Sequence, residues 1–200
     1  MASVTVRPAG EVPWADVERA LTGGGDGGYC WCQWFLLPRK EFDATNRDEH
    51  RDLLRSEVAT VRPSPGLVGY LDDEVAGWVR VGPRVAQGRL TATRPVRAGS
   101  PEPLDAPDVW AISCLVVRRE ARGRGVAREL VAGAVGHAAA HGARVVEAYP
   151  WDPARRRSTG PNALFVGTTG MFAANGFRVT ARPTEARVVM TLEVSESAGR

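Results

Sequence analysis

Between Cys114 and Leu130 the chain runs Cys-Leu-Val-Val, then Arg118-Arg-Glu-Ala-Arg-Gly-Arg-Gly125, then Val126-Ala-Arg-Glu-Leu. An apolar, β-rich run passes through a loop with paired glycines and enters a helical pattern without a break. The helix is predicted over Gly125 to His141, because Ala127, Leu130, Val131, Ala134, Val135 and Ala138 recur on one face. Lacking a Cβ, Gly123 and Gly125 let the backbone approach a ligand closely. Unpaired amides at the helix start and the positive end of its dipole make an anion site. Arg122 and Arg124 add full charges, and a pyrophosphate fits such a cradle. The segment is not a P-loop, which needs a lysine that is absent here, nor a dinucleotide fingerprint, since the third glycine position holds Arg128.

The rest of the chain supplies strands and helices around this unit. Ser3 to Val6 alternates as a short strand, and Pro13 to Leu21 reads as a helix stopped by the Gly-rich run Thr22 to Gly28. A second helix starts at Asn46, where Glu49 completes a capping box and Leu53, Leu54 and Val58 form an apolar stripe. Gly66 to Leu71 and Glu74 to Val81 flank Asp72-Asp73 as a hairpin. Val109 to Val117 and Val145 to Tyr149 are further strands. A short helix is expected around Leu164 to Ala174, closed by Asn175-Gly176, and Phe177 to Ala181 and Arg187 to Leu192 finish as strands. Two segments, 82–107 and 150–162, read as long irregular loops, of the kind that are functional or disordered. The order predicts a single α/β domain over residues 1–200, with a mixed sheet flanked by helices.

Composition excludes several classes. With 44% hydrophobic and 24% charged residues the chain is an ordinary globular one. No apolar run approaches the roughly 20 residues of a membrane span, and the N-terminal residues show no export signal, so a cytoplasmic protein is expected. A net charge of +3 over 200 residues does not carry a nucleic-acid reading. Cys30 and Cys32 form a C-x-C pair and Cys114 stands alone. With no second ligand pair following, these read as small buried hydrophobes, and no metal is expected.

The pattern R-x-x-G-x-A over Arg122 to Ala127, behind a strand ending in Leu115-Val-Val117, resembles the GNAT superfamily of N-acetyltransferases. The ending Met171-Phe-Ala-Ala-Asn-Gly-Phe177 is similar to that family's helix-turn-strand. The resemblance implies a mostly antiparallel central sheet and an acyl-CoA donor, most simply acetyl-CoA, for transfer to an amine acceptor. It implies that Arg122, Gly123, Arg124, Gly125, Val126 and Ala127 hold the pyrophosphate through backbone amides. The main chain of Leu115, Val116 and Val117 would pair with the pantetheine arm, and the thioester would sit where this strand splays from Val145 to Tyr149.

Family members often place an acidic residue or histidine on the strand before the loop. Alternation with Leu115 puts Ala111 and Ser113 there, and Cys114 on the opposite face. Ser113 would order a water. The position of the family's acid tyrosine holds Phe172, which has no proton to give. Tyr149 as acid and Glu147 as a water-linked relay are the substitutes; packing, and an ion pair with an arginine, are the structural alternatives. Asp108 and Asp152 flank strand ends as weaker candidates. Trp31 and Trp34 form either a cation-binding wall for the acceptor or core under the sheet. The arginines of 82–107 and Arg155 to Arg157 either approach the acceptor or the coenzyme, or are solvated. A non-catalytic acyl-CoA-binding regulatory module is the rival reading, and a homodimer stays open.

Overall fold

The computed structural model describes residues 3–23, 27–155 and 165–194. Its centre is one sheet in the order β1-β2-β3-β4-β5-β7-β6. The strands are β1 (Val4–Pro8), β2 (Gly66–Leu71), β3 (Glu74–Pro83), β4 (Val109–Val117), β5 (Val145–Ala148), β6 (Arg178–Ala181) and β7 (Val189–Glu193). Only β4 and β5 pair in parallel; every other neighbour is antiparallel. The expected mixed, mostly antiparallel α/β sheet is therefore present. The parallel pair follows from the long helix between its strands, since a crossover is what returns the chain in the same direction.

The helices are α1 (Trp14–Thr22), α2 (Gly27–Cys30), α3 (Arg39–Ala44), α4 (Arg47–Thr60), α5 (Gly88–Thr91), α6 (Arg94–Gly99), α7 (Val126–Ala140) and α8 (Thr169–Ala173). Leu130, Val131, Ala134 and Ala138 of α7 pack on one sheet face with Leu67, Val79, Ile112 and Leu115. On the opposite face Val17, Ala20 and Leu21 of α1 and Leu54 and Val58 of α4 cover Val68, Trp78, Cys114 and Val116. A third cluster, Phe35, Leu90, Val96, Ala111, Tyr149, Val166 and Val189, continues this face toward β7.

Local chemistry explains the element ends. The Asn46 side chain accepts from the amides of Asp48 and Glu49 at 2.9 and 3.1 Å, while Glu49 accepts from the Asn46 amide at 2.7 Å. Asn46→Ala should therefore lower stability by about 0.5–2 kcal/mol, read as the urea midpoint at constant slope. In the β2–β3 turn Asp72 and Asp73 both take positive φ, 51° and 67°, as a two-residue hairpin requires.

Three expectations change. Segment 82–107 is not a bare loop: a 3-10 turn over Arg84–Ala86 is followed by α5 and α6. Its Pro and Gly residues end short helices instead of preventing them, and Pro95 lies in the first turn of α6, where its missing N–H costs nothing. Of 150–162, Trp151 bridges Thr168 and Arg187, and Pro153–Arg155 form a turn; residues 156–162 lie outside the described residues, as does Leu164. The terminal helix is accordingly described over Thr169–Ala173. No helix among the described residues is long and apolar enough to cross a membrane.

Candidate active site

Two adjacent features of β4 shape the site. Arg80 lies opposite Cys114 and Val81 opposite Ile112, so Ser113 is an extra residue with no partner across the ladder. This is a β-bulge, which reverses the side-chain alternation. Ala111, Cys114 and Val116 consequently face the N-terminal helices, while Ile112 and Leu115 face α7. The expected common face of Ala111, Ser113 and Leu115 is corrected accordingly, and Cys114 stands on the same side as Ala111.

On its other edge β4 pairs with β5 only as far as Ile112 opposite Ala148. Beyond that point β4 continues to Val117 with no strand beside it on that edge among the described residues. From Ser113 to Val117 the amides and carbonyls not used by β3 have no neighbouring described strand, and the Val117 carbonyl is taken by Arg122. The edge leads directly into the loop. Gly123 and Gly125 take φ of 73° and 84°, and a Cβ on either would meet no atom within 4 Å. Gly125 caps α7, and its carbonyl accepts from Arg128 and Glu129 at 3.0 and 3.2 Å. The amides of residues 123–127 donate to no described residue. Val126 is buried beneath them, which fixes the loop to the sheet. Arg122 and Arg124 are exposed; Arg122 Nε donates to the Val117 carbonyl at 3.2 Å and Arg124 pairs with Asp72 at 3.2 Å.

The structure brings Glu147 and Tyr149 together, but away from solvent. Glu147 is 0% exposed and Tyr149 2%. The Tyr149 hydroxyl donates to Glu147 Oε2 at 2.5 Å, Arg84 Nη1 reaches the same oxygen at 2.8 Å, and the Ser100 hydroxyl donates to Oε1 at 2.6 Å. Arg84, itself fully buried, also donates to the Pro103 carbonyl. Both Glu147 oxygens are engaged, so its expected role as a water-linked relay is replaced by the ion-pair alternative. The proton of Tyr149 points at a carboxylate and not at a thiolate, which removes the expected acid role. Burial, and then the Glu147 charge, push the Tyr149 hydroxyl well above its ordinary range. The contact is therefore fully present below the unfolded tyrosine value of about 10, and above it the unfolded chain loses a proton that the folded one keeps. Stability should fall through that alkaline range, and Tyr149→Phe should make the fall shallower in urea midpoints measured across it.

Ser113 is 1% exposed and its hydroxyl has no partner among the described residues. Gln87, on the turn before α5, donates to the Ala111 carbonyl at 3.1 Å and to the Gly82 carbonyl at 3.4 Å, bridging the ladder beside the bulge. Sequence reading missed Gln87, while Arg84 entered it only as one of the arginines of the 82–107 segment, without its partner. Phe172 is fully buried against Phe177, an apolar ring where the family's tyrosine was sought. Asp108 and Asp152 hold arginines, Arg144 at 2.9 Å and Arg182 at 2.7 Å, as turn-anchoring carboxylates. Arg155 lies 4.0 Å from Asp152; Arg156 and Arg157 lie outside the described residues.

The two tryptophans separate. Trp31 is 1% exposed and stacks on Trp14 with ring centroids 6.2 Å apart, so it is core and not an acceptor wall. Trp34 is half-buried beside Phe42, and the guanidinium of Arg89 lies 3.7 Å from its ring centroid. Cys32 and Cys114 are buried in the core, and Cys30 is partly exposed. Trp78 Nε1 donates to Cys32 Sγ at 3.1 Å. The interaction with Cys114, then Arg80 and Trp78, holds Cys32 below its usual range, while the Cys32 sulfur and burial push Cys114 well above it. Among the described residues no group of three or more His, Cys, Asp or Glu is placed to hold a metal ion.

A splayed mixed sheet, a bulged central strand and a glycine loop opening a long helix define the class of α/β protein to which this chain belongs. The model of the acetyltransferase (GNAT) family matches residues 31–158, more than half of the chain. The chain belongs to that family. Among solved structures, yncA from Salmonella typhimurium, with its cofactor acetyl-CoA, is similar at 16% identity and a TM-score of 0.55, covering 98% of this chain and 96% of its own. The PaiA N-acetyltransferase from Thermoplasma acidophilum in complex with coenzyme A gives 12% and 0.54, covering 96% and 99%. A ribosomal-protein-alanine N-acetyltransferase from Brucella melitensis gives 15% and 0.54, covering 95% and 99%. No curated protein matches in sequence.

Proposed function

We propose that this chain is an acyl-CoA-dependent N-acyltransferase that moves acetyl from acetyl-CoA directly to a primary amine. The observation that carries the reading is the free edge of β4 beyond Ile112, continuous with the amides of residues 123–127. The donor set fits the donor molecule. Leu115 to Val117 offer main-chain hydrogen bonds to a pantetheine arm, as a strand would. The amides of Gly123, Arg124, Gly125, Val126 and Ala127, with Arg122 at the loop's start, suit a pyrophosphate, because helix-start amides and positive charge both favour an anion. Bound there, the thioester supplies the acetyl group, and CoA leaves as a thiolate. The cytoplasm is the location proposed, on a sequence with only three cysteines and no disulfide framework.

The chain's own part is chiefly positioning. Holding an amine against a thioester lowers the barrier by roughly 7–11 kcal/mol. A backbone amide at the bulge, aimed at the developing oxyanion, adds about 2.7–4 kcal/mol. Acid and base groups contribute less, about 10²–10⁴-fold each. That order of importance agrees with a site whose buried carboxylate is locked and whose tyrosine position holds Phe172. Ser113 and Gln87 Oε1 are the groups at the splay with unused hydrogen-bonding capacity, and Ser113 is proposed as a water- or amine-ordering residue. Thiol release from acetyl-CoA across a panel of primary amines tests the reading: amine-dependent release supports it, and binding of acetyl-CoA with no release on any amine supports a regulatory binding module.

A further inference from the structure

Arg89 is a partly buried cation for which the described residues supply no carboxylate partner. Its guanidinium carbon lies over the Trp34 ring, 3.7 Å from the centroid, and 5.8 Å from that of Phe42. Its Nη1 is closed off and has no hydrogen-bond partner, and no described carboxylate forms a salt bridge with it. The nearby Asp43 is taken by Arg39 at 2.7 Å. Loss of water around the guanidinium, and then the Arg39 charge, lower the Arg89 pKa, against a smaller opposing pull from Asp43. A half-buried cation held rigid on an aromatic face with donors to spare is a receptor for an anion.

Its position connects that receptor to the splay. Arg89 is on α5 between Gln87, bonded to the Ala111 carbonyl, and Leu90, packed with Ala111 and Tyr149. Trp34 and Phe35, on the adjacent N-terminal segment, complete this side of the sheet. The element that carries Arg89 therefore packs on the side opposite α7, near the end of the β4–β5 pairing.

Resting on the transferase reading, we infer that Arg89, presented by Trp34, binds the carboxylate of the amine acceptor, so that the substrate class is amino acids or similar amino-carboxylates. A planar carboxylate matches the guanidinium fork, and one unpaired cation balances a single negative charge. The expected preference is about 10- to 100-fold over the same amine with its carboxylate removed.

Product complexes test this without turnover. Melting is followed in saturating CoA with a panel of N-acetyl amino acids, their carboxamides and an N-acetyl aminoalkyl phosphate, for wild type, Arg89→Met and Arg89→Lys. The expected result is stabilisation by at least one acid, none by its amide, loss in Arg89→Met and partial retention in Arg89→Lys. The response of each variant to CoA alone reports that it is folded. Equal response to acid and amide, a preference that survives Arg89→Met, a preference for the phosphate, or no response to any acid in a protein that still binds CoA overturns the inference and leaves the proposed function standing. No response to CoA or acetyl-CoA in the wild type removes both.

Discussion

Arg84→Met should lower stability by about 3–5 kcal/mol, more than any other single exchange considered, because it strands a carboxylate in the core. Arg84 and Glu147 are both 0% exposed and 2.8 Å apart, so neither charge is relieved by water. Removing the cation leaves Glu147 with two hydroxyl donors, Ser100 and Tyr149, which do not neutralise it. The pair is also mechanical. It ties the insertion between β3 and β4 to β5, one side of the splay, across 63 residues of sequence. Exchanging both partners, Arg84→Met with Glu147→Leu, should recover much of the loss, since an apolar pair in the same volume removes the stranded charge. Urea melts of the four proteins of this cycle give the coupling. A loss below about 1 kcal/mol for Arg84→Met would mean that the network is open to solvent.

The second large effect is on binding. Gly125→Trp should remain folded yet lose acetyl-CoA. A side chain at φ 84° costs about 1–2 kcal/mol. No atom lies within 4 Å of the added Cβ, so the indole has room. That room is the space over the amides at the start of α7. Blocking two charge-assisted hydrogen bonds weakens binding by about 100-fold or more.

Much of this architecture was legible in the sequence because it rests on local rules. The apolar period of α7, the Asn46–Glu49 box and the Asp72-Asp73 hairpin each depend on residues a few positions apart. The bulge at Ser113 was not legible. Both faces of β4 are buried, so a one-residue shift leaves no trace in an apolar run, and the side-chain alternation was carried through a point where the backbone breaks it. The Arg84–Glu147–Tyr149 network was hidden for another reason: its partners are far apart in sequence, and an arginine among prolines and glycines reads as a solvated loop. Trp31 and Trp34, three residues apart, divided between core and surface because Trp31 and Cys32 take positive φ, 44° and 59°, which no local pattern announced.

The most direct test is the melting temperature of the wild type with and without acetyl-CoA. At 100 times its Kd the ligand should add about 2.7 kcal/mol, a rise of roughly 5–10 °C for a chain of this size, absent in Gly125→Trp. No rise at saturating acetyl-CoA, CoA or a longer acyl-CoA would contradict the account, and the loop before α7 would then be a turn leading into a core helix.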